Sequence, residues 1–285
     1  MSSNFSQDSD VELRTEVIAP EPAEGLAGIL DIPAPSLLSD TELPPLWHWV
    51  YLNQRRNQRD LGQDGHPESG IPAPPEQNWL RMFAGGRVKT IEPLLIGKSA
   101  SRSTQVVSTT KKEGRSGLLT FITVRNEISQ NGQVKIIDEQ DLVYRPKGSK
   151  LATVGAPEET LQKPVDSPSG QIHFEFAVDP VVLFRFSALT YNAHRIHYDL
   201  AYAESEGYPD LVVHGPLQAL LMAELLRRTG ISLVGGEFAY RLVSPTFGKQ
   251  ILSIAADNMD PRSGLAVKDA HGKITATSQL KQMNP

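Results

Sequence analysis

Cysteine is absent from all 285 residues. This absence excludes disulfide bonds, a cysteine nucleophile and a Cys-ligated zinc site, and it fits a reducing compartment. No apolar run approaches the ~20 residues needed to span a bilayer, so we predict no association with a membrane. Residues 1–10 are polar and acidic, and they show neither the apolar core of a secretory signal nor the Arg-rich face of a mitochondrial presequence. We therefore expect a cytoplasmic protein.

Basic residues are fewer than acidic residues. The chain has 28 Lys and Arg residues against 33 Asp and Glu residues, a formal net charge of -5, and no long basic run. Nucleic-acid-binding proteins need a basic footprint, so this class is excluded. Hydrophobic residues make up 39% and charged residues 21% of the chain, which is typical of a globular protein. The length suits one large domain or two of ordinary size.

Local composition predicts strands, a linker and a disordered tail at residues 1–10. Residues 118–128 and 133–144 are rich in β-branched and apolar residues, and a turn signal at Asn131-Gly132 separates them. This pattern predicts two antiparallel strands joined by a hairpin. Residues 146–170 are dense in Pro, Gly, Ser and Lys, which indicates an interdomain linker.

The region before these strands predicts helical segments and a long loop. Residues 20–30 favour a short helix, and the aromatic run at residues 46–52 predicts a helix packed on a sheet. Residues 53–78 form a polar stretch rich in Gly and Pro. Loops of that length are uncommon in compact domains and often line functional sites.

Short sequence repeats relate the two halves of the chain. Three matches occur in the same order: Pro93-Leu94-Leu95-Ile96-Gly97-Lys98 with Pro245-Thr246-Phe247-Gly248-Lys249, Arg115-Ser116-Gly117-Leu118 with Arg262-Ser263-Gly264-Leu265, and Val124-Arg125-Asn126 before Gly132 with Val267-Lys268-Asp269 before Gly272. Their spacing is close to half the chain length. They predict two copies of one α+β unit, each with strands and one long buried helix.

The second copy carries the clearer helix signal. Gly215-Pro216 opens a stretch whose leucines leave few polar faces, and Gly230 suits its C-terminal cap. Glu224 and Arg228 have the i,i+4 spacing of a helical ion pair. A helix that is apolar on nearly all sides needs a wrapper, and a curved antiparallel sheet provides one.

Chemistry-bearing residues are concentrated at residues 192–197, where Asn192, His194, Arg195 and His197 follow one another closely. A histidine is a suitable general base near neutral pH. Downstream, His214-Gly215 begins the predicted helix, and a helix N-terminus presents unpaired N–H groups that suit an oxyanion. The enolate formed from a thioester carbonyl is such an oxyanion.

These segments resemble the MaoC-like hydratases of the hotdog fold, whose motif runs roughly Ser-Gly-Asp-x-Asn-Pro-Ile-His with a later His-Gly. The histidine of the motif falls on His197, while Asn192 takes the place of its Asp, His194 of its Asn and Arg195 of its Pro. The run Asn-x-His-Arg-Ile-His-Tyr-Asp is similar to a sub-branch with mesaconyl-C4-CoA hydratases, itaconyl-CoA hydratases and mitochondrial-type 3-hydroxyacyl-thioester dehydratases. Residues 43–49 and 82–86 also resemble that branch.

The resemblance implies an α+β double hotdog, in which two curved antiparallel sheets each wrap a central helix. It places a non-catalytic hotdog at residues 11–145, the linker at 146–170 and a catalytic hotdog at 171–285. The motif at residues 192–197 has no counterpart in residues 10–145, as this division requires. A further homodimer is compatible with it.

The resemblance also implies roles for the site residues. We predict that His197 transfers the proton, Asn192 orients the water, and the Gly215 N–H binds the thioester oxygen. The alternative for Asn192 is that it caps the turn before His197. Because the motif's carboxylate is replaced by Asn192, His197 is expected to transfer protons alone. Candidates for binding the substrate are Arg195, His194, His214, Tyr191 and Arg87, with Arg81 as a further cation.

Two questions about these residues stay open at this point. Arg195 could bind a substrate carboxylate through two hydrogen bonds, or it could form an ion pair with Asp199 at i+4. A metal site is a second possibility, since three histidines lie near one another in the sequence: His194, His197 and His214. Their spacing, however, matches no metal-binding helix, and no carboxylate completes a ligand pattern. We therefore predict no metal and no cofactor, with CoA entering as part of the substrate.

The favoured activity is hydration of an enoyl-CoA with a C5 dicarboxylic acyl group, from itaconyl-CoA or mesaconyl-C4-CoA to citramalyl-CoA. The alternative is dehydration of 3-hydroxyacyl thioesters in fatty acid synthesis. A non-catalytic acyl-CoA binder is the third reading. A dicarboxylate needs a buried cation, whereas a linear acyl chain needs an apolar tunnel.

Overall fold

A computed structural model describes residues 11–34, 39–76, 79–114, 117–146 and 172–283. The α-helices are α1 (Pro20–Ile29), α2 (Pro180–Leu189), α3 (Leu200–Ser205) and α4 (Gly215–Arg228), and 3₁₀ helices occur at Trp47–Val50, Gln58–Asp60 and Arg195–His197. The strands are β1 (Glu12–Val17), β2 (Trp79–Thr90), β3 (Ser99–Gly114), β4 (Gly117–Gln130), β5 (Gln133–Pro146), β6 (His173–Val178), β7 (Gly236–Leu242), β8 (Gln250–Ala256), β9 (Leu265–Lys268) and β10 (Ile274–Gln282). None of the helices described is long and apolar enough to cross a bilayer.

The ten strands form one antiparallel sheet in the order β1-β3-β4-β5-β2-β7-β10-β9-β8-β6. The strands β6 to β10 correspond to β1 to β5 in chain order. Across the sheet, the strands of the second half follow the order of their counterparts in the first half, reversed. The two halves therefore join edge to edge at the β2–β7 pair. This pairing runs from Gly85 opposite Arg241 to Thr90 opposite Gly236. The predicted double hotdog of two repeated units is confirmed.

The sequence repeats occupy equivalent connections in the two halves. Residues 93–98 join β2 to β3, and residues 245–249 join β7 to β8. Asn131-Gly132 forms the turn between β4 and β5, as predicted, and Gly272 lies in the turn between β9 and β10. The repeats are short, and they mark equivalent positions in the two halves.

Helix α4 has the burial that its sequence predicts. Leu217, Leu220 and Leu221 are fully buried, because α4 packs against β7, β8, β9 and β10. Near its end Glu224 pairs with Arg228 at 2.9 Å, as predicted. The N-terminus of this helix is thus held in one place by the core of the second half.

The first half departs from the prediction of a long buried helix in each copy. The aromatic run forms a 3₁₀ helix, Trp47–Val50, and the described part of this half holds no counterpart of α4. Pro44 and Pro45 precede this turn, and Leu46 and Leu52 have positive φ angles of 63° and 57°, so an α-helix cannot extend through it. The concave face of the first half is left partly open as a result.

The predicted helix at residues 20–30 is confirmed by α1. The tail at residues 1–10 and the linker from residue 147 to its end lie outside the described residues. The boundaries predicted for the two hotdogs stay predictions, although β1–β5 form one half of the sheet and β6–β10 form the other.

Candidate active site

The segment that carries the predicted site is a compact turn between α2 and α3. Tyr191 has a φ of 54°, and the side-chain Oδ1 of Asn192 accepts a hydrogen bond from the backbone N–H of His194 at 3.1 Å. A 3₁₀ turn at Arg195–His197 follows, and Asp199 then caps α3 by accepting from the Tyr202 N–H at 3.1 Å. These local hydrogen bonds turn His194 and His197 into the interior.

His197 is held in one tautomer. Its Nδ1 lies 2.7 Å from the carbonyl oxygen of Val212. A carbonyl oxygen only accepts, so Nδ1 donates its proton there and Nε2 keeps a free lone pair. Complete burial lowers the pKa of His197 to about 4, against a smaller raising effect of the Val212 hydrogen bond. The ring is therefore a neutral base at neutral pH.

His214 lies behind His197 instead of facing a substrate. Its Nε2 and the Ser187 Oγ are 2.8 Å apart, its ring is 5.0 Å edge-on from Phe186, and its other side stacks on His197. Burial lowers the pKa of His214 well below its usual value, and the nearby histidines lower it further. The predicted substrate-binding role of His214 stays a prediction that this geometry does not favour, because neighbouring side chains enclose the ring and it does not line the cavity.

Gly215 is the first residue of α4, whose first-turn N–H groups have no partner within the helix. A Cβ at this position would lie 2.0 Å from Leu242 Cδ1 and 3.3 Å from Phe83 Cδ1. Glycine is therefore required for the close approach of these side chains. Its N–H position fits the predicted oxyanion donor, which stays a prediction.

A cavity of about 1090 Å³ brings the predicted residues together. Tyr191, Asn192, His194, His197 and Gly215 all line it. The first half of the sheet and its loops supply the facing wall, which includes His48, Gly65, His66, Arg81, Phe83, Arg102, Thr104, Asn126, Asp138 and Gln140. The half that lacks the catalytic motif thus forms a large part of the cavity.

Arg195 does not line the cavity. Its guanidinium donates to the Asp199 carboxylate at 2.7 and 3.0 Å, donates to the Gln63 carbonyl at 3.1 Å, and lies 4.3 Å from the centre of the Tyr202 ring. The ion pair with Asp199 is the alternative that the sequence left open. The predicted substrate-binding role of Arg195 stays a prediction that this geometry does not favour, because the guanidinium is paired with Asp199 and does not line the cavity.

Arg87 is likewise engaged elsewhere. It pairs with Glu139 at 2.5 Å and with Asp141 at 3.2 Å, and it does not line the cavity. Its predicted role in substrate binding also stays a prediction that this geometry does not favour. Arg81, the weaker candidate six residues earlier on β2, does line the cavity.

The sequence analysis missed a carboxylate–histidine pair at the site. His66 Nδ1 lies 2.9 Å from Asp64 Oδ2, and the His66 ring lies 4.1 Å from the His194 ring. The long loop was expected to line a site, which is confirmed. The Asp-x-His spacing of Asp64 and His66 was the available signal in the sequence. The sequence does not show, however, that this pair lies beside residues 192–197 in the fold.

Asp64, His66 and His194 are the described residues whose ligand atoms lie close enough for a cation, within 4.8 Å of one another. Both oxygens of Asp64 already accept hydrogen bonds from His66, one from its backbone N–H at 2.9 Å and one from Nδ1. The carboxylate is thus satisfied within the protein. The expectation that the site uses no metal stays a prediction.

Comparisons with known proteins agree with this architecture. The chain is 47% identical over 258 residues to a mesaconyl-C(4)-CoA hydratase of Chloroflexus aurantiacus, covering 89% of each chain. It is 30% identical to a mitochondrial hydroxyacyl-thioester dehydratase type 2 of Schizosaccharomyces pombe, covering 75% of this chain and 77% of that one. A crystal structure of a MaoC-like dehydratase from Phytophthora capsici shares the fold, with a TM-score of 0.69, 13% identity, and coverage of 97% and 96%.

The sequence profile of the family described as hydroxyacyl-thioester dehydratase type 2 matches residues 46–248. This range contains both the loop that carries His66 and the segment that carries His197, so the match spans the two walls of the cavity. The chain belongs to the MaoC-like hydroxyacyl-thioester dehydratase type 2 family and is a hydro-lyase of the hydratase/dehydratase type.

Proposed function

We propose that the protein hydrates a short enoyl-CoA whose acyl group carries a second carboxylate, of the mesaconyl-C4-CoA or itaconyl-CoA type, and forms citramalyl-CoA. The observation that carries the proposal is a neutral His197 with a free Nε2 in the same cavity as the first-turn N–H of α4. A base and an oxyanion donor in one cavity suit addition of water beside a thioester carbonyl. The similarity to a mesaconyl-C(4)-CoA hydratase supports the acyl class.

The chemistry follows from these positions. His197 Nε2 takes a proton from water while the water oxygen bonds to the β-carbon, and the double-bond electrons move toward the thioester oxygen. The Gly215 N–H holds that oxygen as it gains negative charge. Because the Oδ1 of Asn192 already accepts from His194, its Nδ2 is the group left to hold the water. Return of a proton to the α-carbon completes the reaction.

Arg81 replaces Arg195 as the proposed partner of the substrate's free carboxylate. Its positive charge lies close enough to His66 and His194 to lower the pKa of both, after the larger effect of their burial. In the ranges that the structure describes, no carboxylate forms an ion pair with Arg81. An arginine holds a carboxylate through two parallel hydrogen bonds, and a position beside the histidines suits a carboxylate carried on the β-carbon.

The acyl end of the cavity favours a polar group. Thr104, Asn126, Asp138 and Gln140 line the concave face of the first half, where a central helix would otherwise lie. Trp49 Nε1 donates to Asp138 at 2.9 Å. A long linear acyl chain prefers an apolar tunnel, and this wall offers one only in part.

The second candidate is dehydration of 3-hydroxyacyl thioesters in fatty acid synthesis. The 30% identity to the S. pombe dehydratase favours it, and so do the apolar residues Phe83, Leu142 and Val213 in the cavity lining. The same His197 and Gly215 would serve both reactions, so the two candidates differ only in the acyl group.

The test is loss of ultraviolet absorbance from the enoyl-thioester bond of mesaconyl-C4-CoA, itaconyl-CoA and crotonyl-CoA, offered in parallel. We expect turnover of a dicarboxylic substrate, with crotonyl-CoA slower. His197→Ala should remove turnover while the fold persists, since general acid–base groups contribute about 10²- to 10⁴-fold. His271→Ala, a change in an exposed turn, is the control. Turnover of crotonyl-CoA alone would favour the second candidate, and inactivity on all three would refute both.

The finer predictions belong with this proposal. CoA enters as part of the substrate, and no separate cofactor is required by the chemistry above. A cytoplasmic location and a further homodimer also remain predictions from the sequence.

A further inference from the structure

The loop of residues 62–66, here called the His66 loop, is fastened directly to the catalytic segment. The Arg195 backbone N–H donates to the Asp64 carbonyl at 2.9 Å, and the Arg195 guanidinium donates to the Gln63 carbonyl. Gly65 has a φ of +88°, and a Cβ there would lie 1.8 Å from the Ala193 carbonyl oxygen. The first half therefore delivers this loop to a fixed position beside the motif, and Arg195 is the residue that holds it.

The His66 loop carries a histidine whose ring is held by a carboxylate. Asp64 accepts from the backbone N–H of His66 at 2.9 Å and lies 2.9 Å from its Nδ1. The pair fixes the orientation of the ring and leaves the other ring nitrogen free, as carboxylates do behind many functional histidines. The side chain of His66 is 12% exposed. Burial lowers its pKa well below the usual value, and the charges of Arg81 and His197 lower it further.

His66, His194 and His197 form a continuous series along the cavity wall. The His66 and His194 rings are 4.1 Å apart, and the His194 and His197 rings are 5.5 Å apart, edge to face. Ring nitrogens of His66 and His194 and an oxygen of Asp64 lie within 4.8 Å of one another. One water molecule with two hydrogen bonds of about 2.8 Å spans such a distance.

The reaction needs a second proton-transfer group. Hydration removes one proton from water and adds one to the α-carbon. The motif of the related hydratases has a carboxylate where this chain has Asn192, and an amide does not exchange a proton at neutral pH. The cavity supplies an acid–base group from elsewhere, because Asp64 and His66 stand next to the residue that replaces the motif's Asn.

We propose that His66 is the second proton-transfer residue of the site, that Asp64 positions it, and that His194 relays the proton between His197 and His66. The inference rests on the proposed hydratase function. His197 takes the proton of water as the carbon–oxygen bond forms, and the proton passes through His194 to His66. The carboxylate of Asp64 stabilises the imidazolium of His66. As the enolate collapses, His66 gives its proton to the α-carbon, and all three histidines end neutral.

The test compares His66→Gln, His66→Ala and Asp64→Asn with His271→Gln, the same exchange in an exposed turn. On whichever of the three enoyl-CoA substrates the wild type accepts, we expect His66→Gln to lower kcat by about 10²- to 10⁴-fold with little change in KM. Asp64→Asn should lose less. Imidazole added to the buffer should restore part of the activity of His66→Ala, because the ring faces a cavity that is large enough to admit it.

An isotope measurement separates catalysis from folding. For dehydration of the α-deuterated hydroxyacyl-CoA, His66→Gln should raise the primary isotope effect on kcat, since removal of the α-proton becomes slower. Full activity of His66→Gln, or a loss without a raised isotope effect and without imidazole rescue, would overturn the relay while leaving the hydratase function in place. A wild type inactive on every substrate would refute both.

Discussion

The imidazole rings of His197 and His214 stack with their centroids 3.6 Å apart and their planes 19° from parallel. Both rings are almost fully buried. A charge on either would be placed in a low-dielectric interior against the face of the other ring, which disfavours protonation of both. Burial keeps His197 neutral, and the stacked His214 ring covers one of its faces.

The first prediction concerns the pH dependence of activity. Because burial lowers the pKa of His197 to about 4, the base is neutral throughout the range above that value. We expect the acid limb of kcat/KM in the free enzyme to fall near pH 4 instead of near 6.5, measured in overlapping buffers. The groups facing His197 are His194, His214 and His66, whose pKa values are lowered in the same direction. An acid limb near 6.5 would contradict a buried, neutral His197.

The first prediction extends to stability through the same lowered pKa. Between the folded pKa of about 4 for His197 and its unfolded value of 6.5, the unfolded chain binds more protons than the folded one. The free energy of unfolding therefore rises with pH across this window and is lost as the pH falls from 6.5 toward 4. Urea unfolding at pH 7 and pH 5 measures the difference. His197→Ala should reduce the slope, and an unchanged slope in that variant would assign it to other groups.

The second prediction concerns Gly215. A Cβ added there would lie 2.0 Å from Leu242 Cδ1, so Gly215→Ala must displace the Leu242 side chain or the first turn of α4. We expect a lower kcat through a misplaced N–H donor, where loss of one such donor costs about 10²- to 10³-fold, and about 1–3 kcal/mol lower stability from overpacking. Adding Leu242→Ala makes room for the methyl group and should recover part of kcat.

The single variant Gly215→Ala also gives the contradicting outcome. If Gly215→Ala keeps full kcat while its stability falls, the position matters for packing alone and the oxyanion role would be refuted. Leu242→Ala by itself is the control for changes in the cavity lining, since Leu242 also faces the cavity.

The third prediction concerns specificity. Arg81→Met should lower kcat/KM for the dicarboxylic substrates by about 10- to 100-fold, the size expected for a lost hydrogen bond to a charged group at ~1.5–3 kcal/mol. Crotonyl-CoA has no free carboxylate, so its kcat/KM should change little. Arg87→Met is the matched control on the same strand, because Arg87 pairs with Glu139 and Asp141 away from the cavity. Equal losses on both substrate types would refute Arg81 as the carboxylate partner.

Local signals were sufficient for much of the fold. The apolar pattern and the opening Pro216 predicted α4, and Asn131-Gly132 predicted the β4–β5 hairpin, because these elements depend on residues close in sequence. The weak repeats predicted two equal units. The prediction for the aromatic run at residues 46–52 was wrong in helix type. Its apolar residues resemble those of an α-helix, but the positive φ angles of Leu46 and Leu52 limit it to a short 3₁₀ turn.

The sequence by itself determined the fold, the family motif, and the identities of His197, Asn192 and Gly215 as site candidates, because short-range patterns carry that information. Only the tertiary structure decided how the cations and histidines are used. Arg195 binds Asp199 and Gln63, and His66 reaches His194 from a loop more than a hundred residues away in the chain. Which partners a side chain meets across the two halves depends on how the sheets pair, and single-sequence patterns do not encode that pairing.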